Sequence, residues 1–186
     1  NGIGAYYAYE AFCETKGVNP YTMAQRQLMK FENFRGYLYT ASGYDQTLLP
    51  GDTVYAYLPY YSNSTMVYYD NDGNAHSWPI VVDATDWKAN SKYSAFAAGE
   101  QPLAKLTNPN LTDGSVCIVV KESFGNALMP YMVDHYSTVY EVDYRYWKGD
   151  LVSFAREVGA TDLIFANNMQ MVTADALVAR LATIIK

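Results

Sequence analysis

The most regular pattern lies in the last third of the chain. SVCIVV (115–120) is an unbroken apolar run, as expected of a strand buried on both faces. NALMPYMVDHY (126–136) reads as a helix, with Pro130 either kinking it or marking its first turn. STVYEVDYR (137–145) is a second strand. Asp150 then caps LVSFAREV, and Gly159 ends that helix. TDLIFANN (161–168) is a third strand, and Thr173 caps ADALVARLATIIK, whose Leu177, Leu181, Ile184 and Ile185 form an apolar face. Strand and helix alternating in this way predict a βαβαβα core over 115–186, with right-handed crossovers, a parallel sheet and helices on both faces.

Upstream the rhythm differs. GIGAYYAYEAFCETK (2–16) has helical spacing, with Ile3, Tyr7, Ala11 and Phe12 near one face, Lys16 in the last turn, Gly17 as the stop and Pro20 beyond it. Residues 21–32 read as a second, shorter helix. Residues 35–100 read as a β-rich, tyrosine-rich insertion: VYAYLPY (54–60) and STMVYYD (64–70) are strands, DNDGN (70–74) is a turn, and PIVVD (79–83) pairs after it. The expected fold class is α/β, a three-layer sandwich with a parallel sheet and an antiparallel insertion, in one domain spanning 1–186.

Composition narrows the function. Half of the residues are hydrophobic and 17% are charged, which suits a full core rather than disorder. The net charge of -6 and the lack of a basic stripe argue against a nucleic-acid partner. Nineteen tyrosines suit sheet packing and, secondarily, a sugar- or partner-contacting surface. Cys13 and Cys117 fall in a helix and a buried strand and read as free thiols. The two histidines, His76 and His135, have no ligand-spaced neighbours, so neither a metal nor a cofactor is expected. The chain opens at Asn1 inside a helical pattern, and it reads as a processed or truncated piece.

In an open parallel sheet, ligands bind beyond the carboxyl ends of the strands. The first of the three strands ends at Glu122, Ser123, Gly125 and Asn126, the second at Asp143, Tyr144 and Arg145, the third at Asn167 and Asn168. Ser123, between a strand end and a helix start, is a candidate nucleophile facing amide donors that favour an oxyanion. Gly125 permits close backbone approach, Asn126 and an Asn167 or Asn168 amide are candidate donors, and Arg145 could orient a carboxylate. The competing reading makes Ser123 an ordinary helix cap. A nucleophilic serine needs a base. His135 lies about three helical turns past Ser123 and reads as a surface residue, and His76 could reach the cleft only if its hairpin folds over it.

VVKESFGNALMPYMVDHYSTVYEVDYRYW and DLIFANNM, together with GIGAYYAYEAF, FRGYLYTASGYD and FAAGEQPLAKLTNPNLTDGS, resemble the bacterial DHHW-motif family. That family is similar to SGNH-hydrolase-like proteins, including alginate O-acetylation enzymes. The resemblance implies an SGNH-like sandwich and acyl-ester chemistry on a carbohydrate or cell-envelope polymer, outside the cytoplasm or at the envelope. It makes Ser123 the family serine and Asn167 or Asn168 the oxyanion asparagine. Glu122 stands where an aspartate is commoner. The resemblance also puts the Asp-His-His-Trp motif just before the helix that starts here at Gly2, so a base and its orienting aspartate would come from an upstream or partner-supplied segment. Three functions remain open: a serine esterase or O-acetyltransferase inactive as this chain alone, a non-catalytic glycan-binding or cell-surface module, and a structural domain.

Overall fold

The computed structural model describes residues 1–48 and 50–186, with the side chains of residues 170 and 172 left aside. Among the described residues the strands are β1 Leu28–Phe34, β2 Asp52–Tyr57, β3 Thr65–Tyr69, β4 Ala75–Trp78, β5 Leu103–Thr107, β6 Val116–Lys121, β7 Thr138–Asp143 and β8 Asp162–Ala166. Five α-helices accompany them: α1 Gly2–Lys16, α2 Tyr37–Ala41, α3 Met129–Met132, α4 Leu151–Glu157 and α5 Asp175–Ala182. β1 and β2 form a separate antiparallel pair, and the other six strands form one sheet in the order β4-β3-β5-β7-β6-β8.

The sheet is mixed, which corrects the expectation of a parallel one. β7, β6 and β8 are mutually parallel, while β5, β3 and β4 continue the sheet in antiparallel fashion. The link between the two parts is β5, whose Leu103 to Thr107 pair with Val142 to Thr138. Its short LAKLT sequence carries little periodic signal, so no strand was expected there. Through β5, the β3–β4 hairpin from the tyrosine-rich region belongs to the main sheet.

β6 has core on both of its faces. Cys117 and Val119 join the core that contains Tyr6 and Tyr9 of α1, whereas Ile118 and Val120 face Leu151 of α4 and Ile184 after α5. That two-sided burial is the physical content of the apolar run 115–120. Asp150 caps α4 by accepting from Ser153 N at 2.8 Å, and Gly159 follows with φ 66°, both as expected. Helix α5 starts one residue later than Thr173 implies, with Ala174 at its N-cap. Pro130 falls in the first turn of α3, where its missing N–H costs no helical bond. Ahead of it the expected helix is a 3-10 turn, Ser123–Leu128.

Three local expectations fail for tertiary reasons. Helix α1 forms where expected, with Asn1 and Gly17 as its caps, but buries Gly2, Tyr6, Tyr9 and Cys13, while Tyr7 stays 63% exposed. The inward face is thus turned by one residue, roughly 100°, because tyrosine hydroxyls find partners inside: Tyr9 OH accepts from Tyr21 N at 2.9 Å and meets His135 Nε2 at 2.6 Å. Residues 21–32 hold only the 3-10 turn Met23–Gln25 before β1. LMKFENF is rich in helix formers, yet pairing with β2 overrides that weak preference. The hairpin partner of β3 is Ala75–Trp78 rather than 79–83, and Pro79 can donate nothing to extend it.

Candidate active site

The parallel register sets the site. Lys121 lies opposite both Asp143 and Ala166, so the three strands finish level. Ser123, Arg145, Asn167 and Asn168 therefore leave the same edge of neighbouring strands, each about 4.8 Å apart. All four follow strand ends on that one edge.

Around Ser123 the cap is made by a different residue. Glu122 is the N-cap, and its Oε2 accepts from Phe124 N at 3.0 Å. Its other oxygen accepts from Asn168 N at 3.0 Å, so one buried carboxylate ties the turn after β6 to the turn after β8. Ser123 Oγ contributes only a long contact, 3.4 Å, to Glu122 Oε2. The serine is half-buried, and next to it Phe124 stands 67% exposed. Tyr93, which the strand pattern gave no reason to select, donates to Ser123 O at 3.1 Å and holds the turn from outside.

Beneath the turn is a buried ionic cluster. Lys121 Nζ lies 2.8 Å from Glu141 Oε1, 3.1 Å from Asp143 Oδ2 and 2.6 Å from Asn126 Oδ1, and its side chain has no exposure. Arg145 grips both oxygens of Asp143, through Nε at 2.9 Å and Nη2 at 2.7 Å, and reaches Glu100 at 3.2 Å. Burial alone would neutralise Lys121, but Glu141 and Asp143 outweigh it and raise its pKa. Burial likewise pushes Asp143 up, yet hydrogen bonds from Arg145 and the Lys121 charge hold it below the ordinary carboxylate range. Glu141 goes the other way: burial dominates and raises its pKa despite Lys121. The sequence pattern does not single out Lys121 and Glu141, because each sits in a mostly apolar strand. The available signal was a charge at an inward position.

Other candidates take up supporting places. Gly125 N donates to Glu122 O at 2.9 Å, and a Cβ at Gly125 would lie 2.5 Å from Lys121 Cβ, so only glycine fits over the lysine stem. Asn126 is buried beneath the turn, with its amide bonded to Lys121 and, at 3.0 Å, to Gly99 O. Asn167 is half-buried, and its Oδ1 has no hydrogen-bond partner among the described residues. Arg145 is occupied by Asp143 and Glu100.

Neither histidine supplies a base. His76 pairs with Asp70 at 2.8 Å on β4, four strands away from β6, or roughly 19 Å. His135 is half-buried rather than on the surface, ringed by Tyr9, Phe12 and Tyr21. Burial, then the nearby Arg26 charge, lowers its pKa to about 4. That lowered pKa keeps the imidazole neutral, with its Nε2 in hydrogen-bond contact with Tyr9 OH at 2.6 Å. Cys13 and Cys117 are free and buried. Among the described residues, no cluster of three or more His, Cys, Asp and Glu side chains could hold a metal ion.

Comparison with known proteins follows the same outline. No curated protein sequence matches the chain. A DHHW family protein from Eubacterium siraeum is similar, with a TM-score of 0.88 and 27% identity over 100% of this chain and 62% of its own. PatB1 of Bacillus cereus, solved with a sulfonyl adduct, shares the fold at a TM-score of 0.74 and 16% identity over 95% of this chain and 60% of its own. A second structure of Bacillus cereus PatB1 is similar at a TM-score of 0.74 and 16% identity, over 95% of this chain and 62% of its own. This chain thus spans about three fifths of the length of these solved proteins. The family model described as DHHW protein matches residues 1–142, a span that runs through the Ser123 turn into β7, and the chain belongs to the DHHW family.

Proposed function

We propose that this chain is the serine-bearing part of an SGNH-like esterase or O-acetyltransferase acting on acyl esters of a carbohydrate or cell-envelope polymer, outside the cytoplasm. The observation that carries the reading is the division of labour at the turn. Glu122 does the capping, so Ser123 Oγ, at the carboxyl edge of the parallel strands, is not needed as a cap. Its place between the ends of β6 and β8 is where an acyl ester would meet an amide donor. Asn167, half-buried at that edge, could supply the donor through its Nδ2 amide group.

In this mechanism Ser123 Oγ forms a bond to the acyl carbon, and its proton passes to a histidine. The imidazolium returns that proton to the departing alcohol as the ester C–O bond breaks. A sugar hydroxyl or water then takes the acyl group from Ser123 and gives up its proton to the same base. Asn167 or Asn168 holds the oxyanion, and Gly125 lets the backbone approach. Asn126 and Arg145 position the turn through Lys121 and Asp143. Among the described residues, the hydrogen-bond contact of Ser123 Oγ is with the Glu122 carboxylate. The string Asp-His-His-Trp does not occur in the 186 residues. The base and its aspartate are therefore assigned to a further segment or partner.

The absence of a histidine in contact with Ser123 among the described residues, together with exposed Phe124 and Tyr37, favours one alternative, a glycan-binding module. Fluorophosphonate labelling read by intact mass separates the two. The expected result is one adduct on a polypeptide carrying an upstream Asp-His segment, none on its Ser123→Ala variant and little on residues 1–186 alone. No adduct on the folded longer polypeptide would refute the enzyme and leave glycan binding.

A further inference from the structure

β8 closes the main sheet with one side unpaired: it bonds β6 and, among the described residues, no other strand. Exposed edges are ordinarily blunted by lysine, proline or a bulge. β8 reads Asp-Leu-Ile-Phe-Ala and has neither lysine nor proline, and its register with β6 is unbroken. Its two faces are unequal. Ile164 and Ala166 pack on the core beside α1, whereas Leu163 and Phe165 remain 44% and 46% exposed. Those two line an apolar groove of about 420 Å³ with Leu151, Val152, Ala155 and Ile185.

Helix α1 shows the direction from which a further element would come. Its start is held by Tyr131 OH, which donates to Gly2 O at 2.8 Å, and the helix packs on the Ser123–Leu128 turn. Its last residue, Lys16, pairs at 2.5 Å with Asp162, the first residue of β8. So α1 runs from the carboxyl edge of the strands back to their amino edge, the course of a helix that follows a parallel strand. The solved DHHW relative has the length to provide such a strand, since this chain covers 62% of it.

We propose that the free edge of β8 seats one further parallel strand, contributed by the segment of a longer DHHW polypeptide that leads into α1. The strand bonds the outer side of β8, and the connection to it covers Leu163 and Phe165. It ends at the carboxyl edge beside Ser123, the place from which a base has to be delivered. The strand pairing stands apart from the serine chemistry, and only that delivery rests on the function proposed above.

Amide hydrogen exchange tests it on residues 1–186 and on the longer polypeptide. The β8 amides that point away from β6 should exchange freely in the first and at least about 100-fold more slowly in the second. Phe165→Asp in the longer polypeptide should remove that protection while β6 and β7 keep theirs. Equal exchange in both proteins overturns the proposal. So does protection already present in residues 1–186 through self-association, which would make the occupant a second copy. A native protein with the intact mass of residues 1–186 overturns it as well. Ser123→Ala should leave the protection unchanged, so failure of the strand and failure of the nucleophile are read separately.

Discussion

Replacing Lys121 by methionine tests whether the ionic cluster, and not just the backbone, holds the Ser123 turn. Methionine fills much of the same volume but leaves Glu141 and Asn126 Oδ1 without their cation, and Asp143 with Arg145 alone, in a site where the Lys121 side chain is fully buried. Removing one partner of a buried ion pair costs about 3–5 kcal/mol. For a chain of this size that lowers Tm by ~6–20 °C. The cost also has a direction in pH. Glu141 already has a folded pKa above its ordinary value, so it favours the fold at low pH and loses that contribution as pH rises through its folded pKa. Without Lys121 its pKa climbs further. The Lys121→Met deficit should therefore be largest near neutral pH and shrink on acidification toward pH ~5, by up to about 1.4 kcal/mol per pH unit for each proton taken up. Urea unfolding at several pH values measures it. Lys16→Met is the control: its ion pair with Asp162 is 40% and 22% exposed, and its loss should cost less than about 1 kcal/mol. A Lys121→Met deficit no larger than that of Lys16→Met, or one independent of pH, would refute the reasoning.

Three further outcomes follow from the same geometry. Gly125→Ala pushes a methyl to 2.5 Å from Lys121 Cβ. It should destabilise by about 1–3 kcal/mol in chemical denaturation, and the combination with Lys121→Met should cost less than the sum. Glu122→Ala releases Phe124 N and Asn168 N, and amide exchange should speed up at both while β6 stays protected. His135 should stay neutral well below pH 6, because burial lowers its pKa to about 4. Its contribution is present above the unfolded value near 6.5 and is lost as pH falls from there toward 4. An NMR titration of its ring carbons with a midpoint near 6.5 would contradict the burial-lowered pKa.

The parallel part of the sheet, the helices after β7 and β8, and the edge where Ser123, Arg145, Asn167 and Asn168 emerge are legible in the amino-acid pattern. Those features follow from local periodicity: an apolar run has to be covered on both faces, and strands joined by crossovers end on one side. That α1 turns Tyr6, Tyr9 and Cys13 inward comes from the assembled fold, because a buried tyrosine depends on partners contributed by other segments, here His135 and Tyr21. The assembled fold also made Leu28–Phe34 a strand and added β5, since each is stabilised by a ladder to another segment rather than by its own residues. The site divided in the same way. The spacing placed Ser123 at a strand end. That Glu122 caps the turn in its stead, and that Lys121 lies buried beneath it, depends on carboxylates and amides that meet only once the strands are side by side.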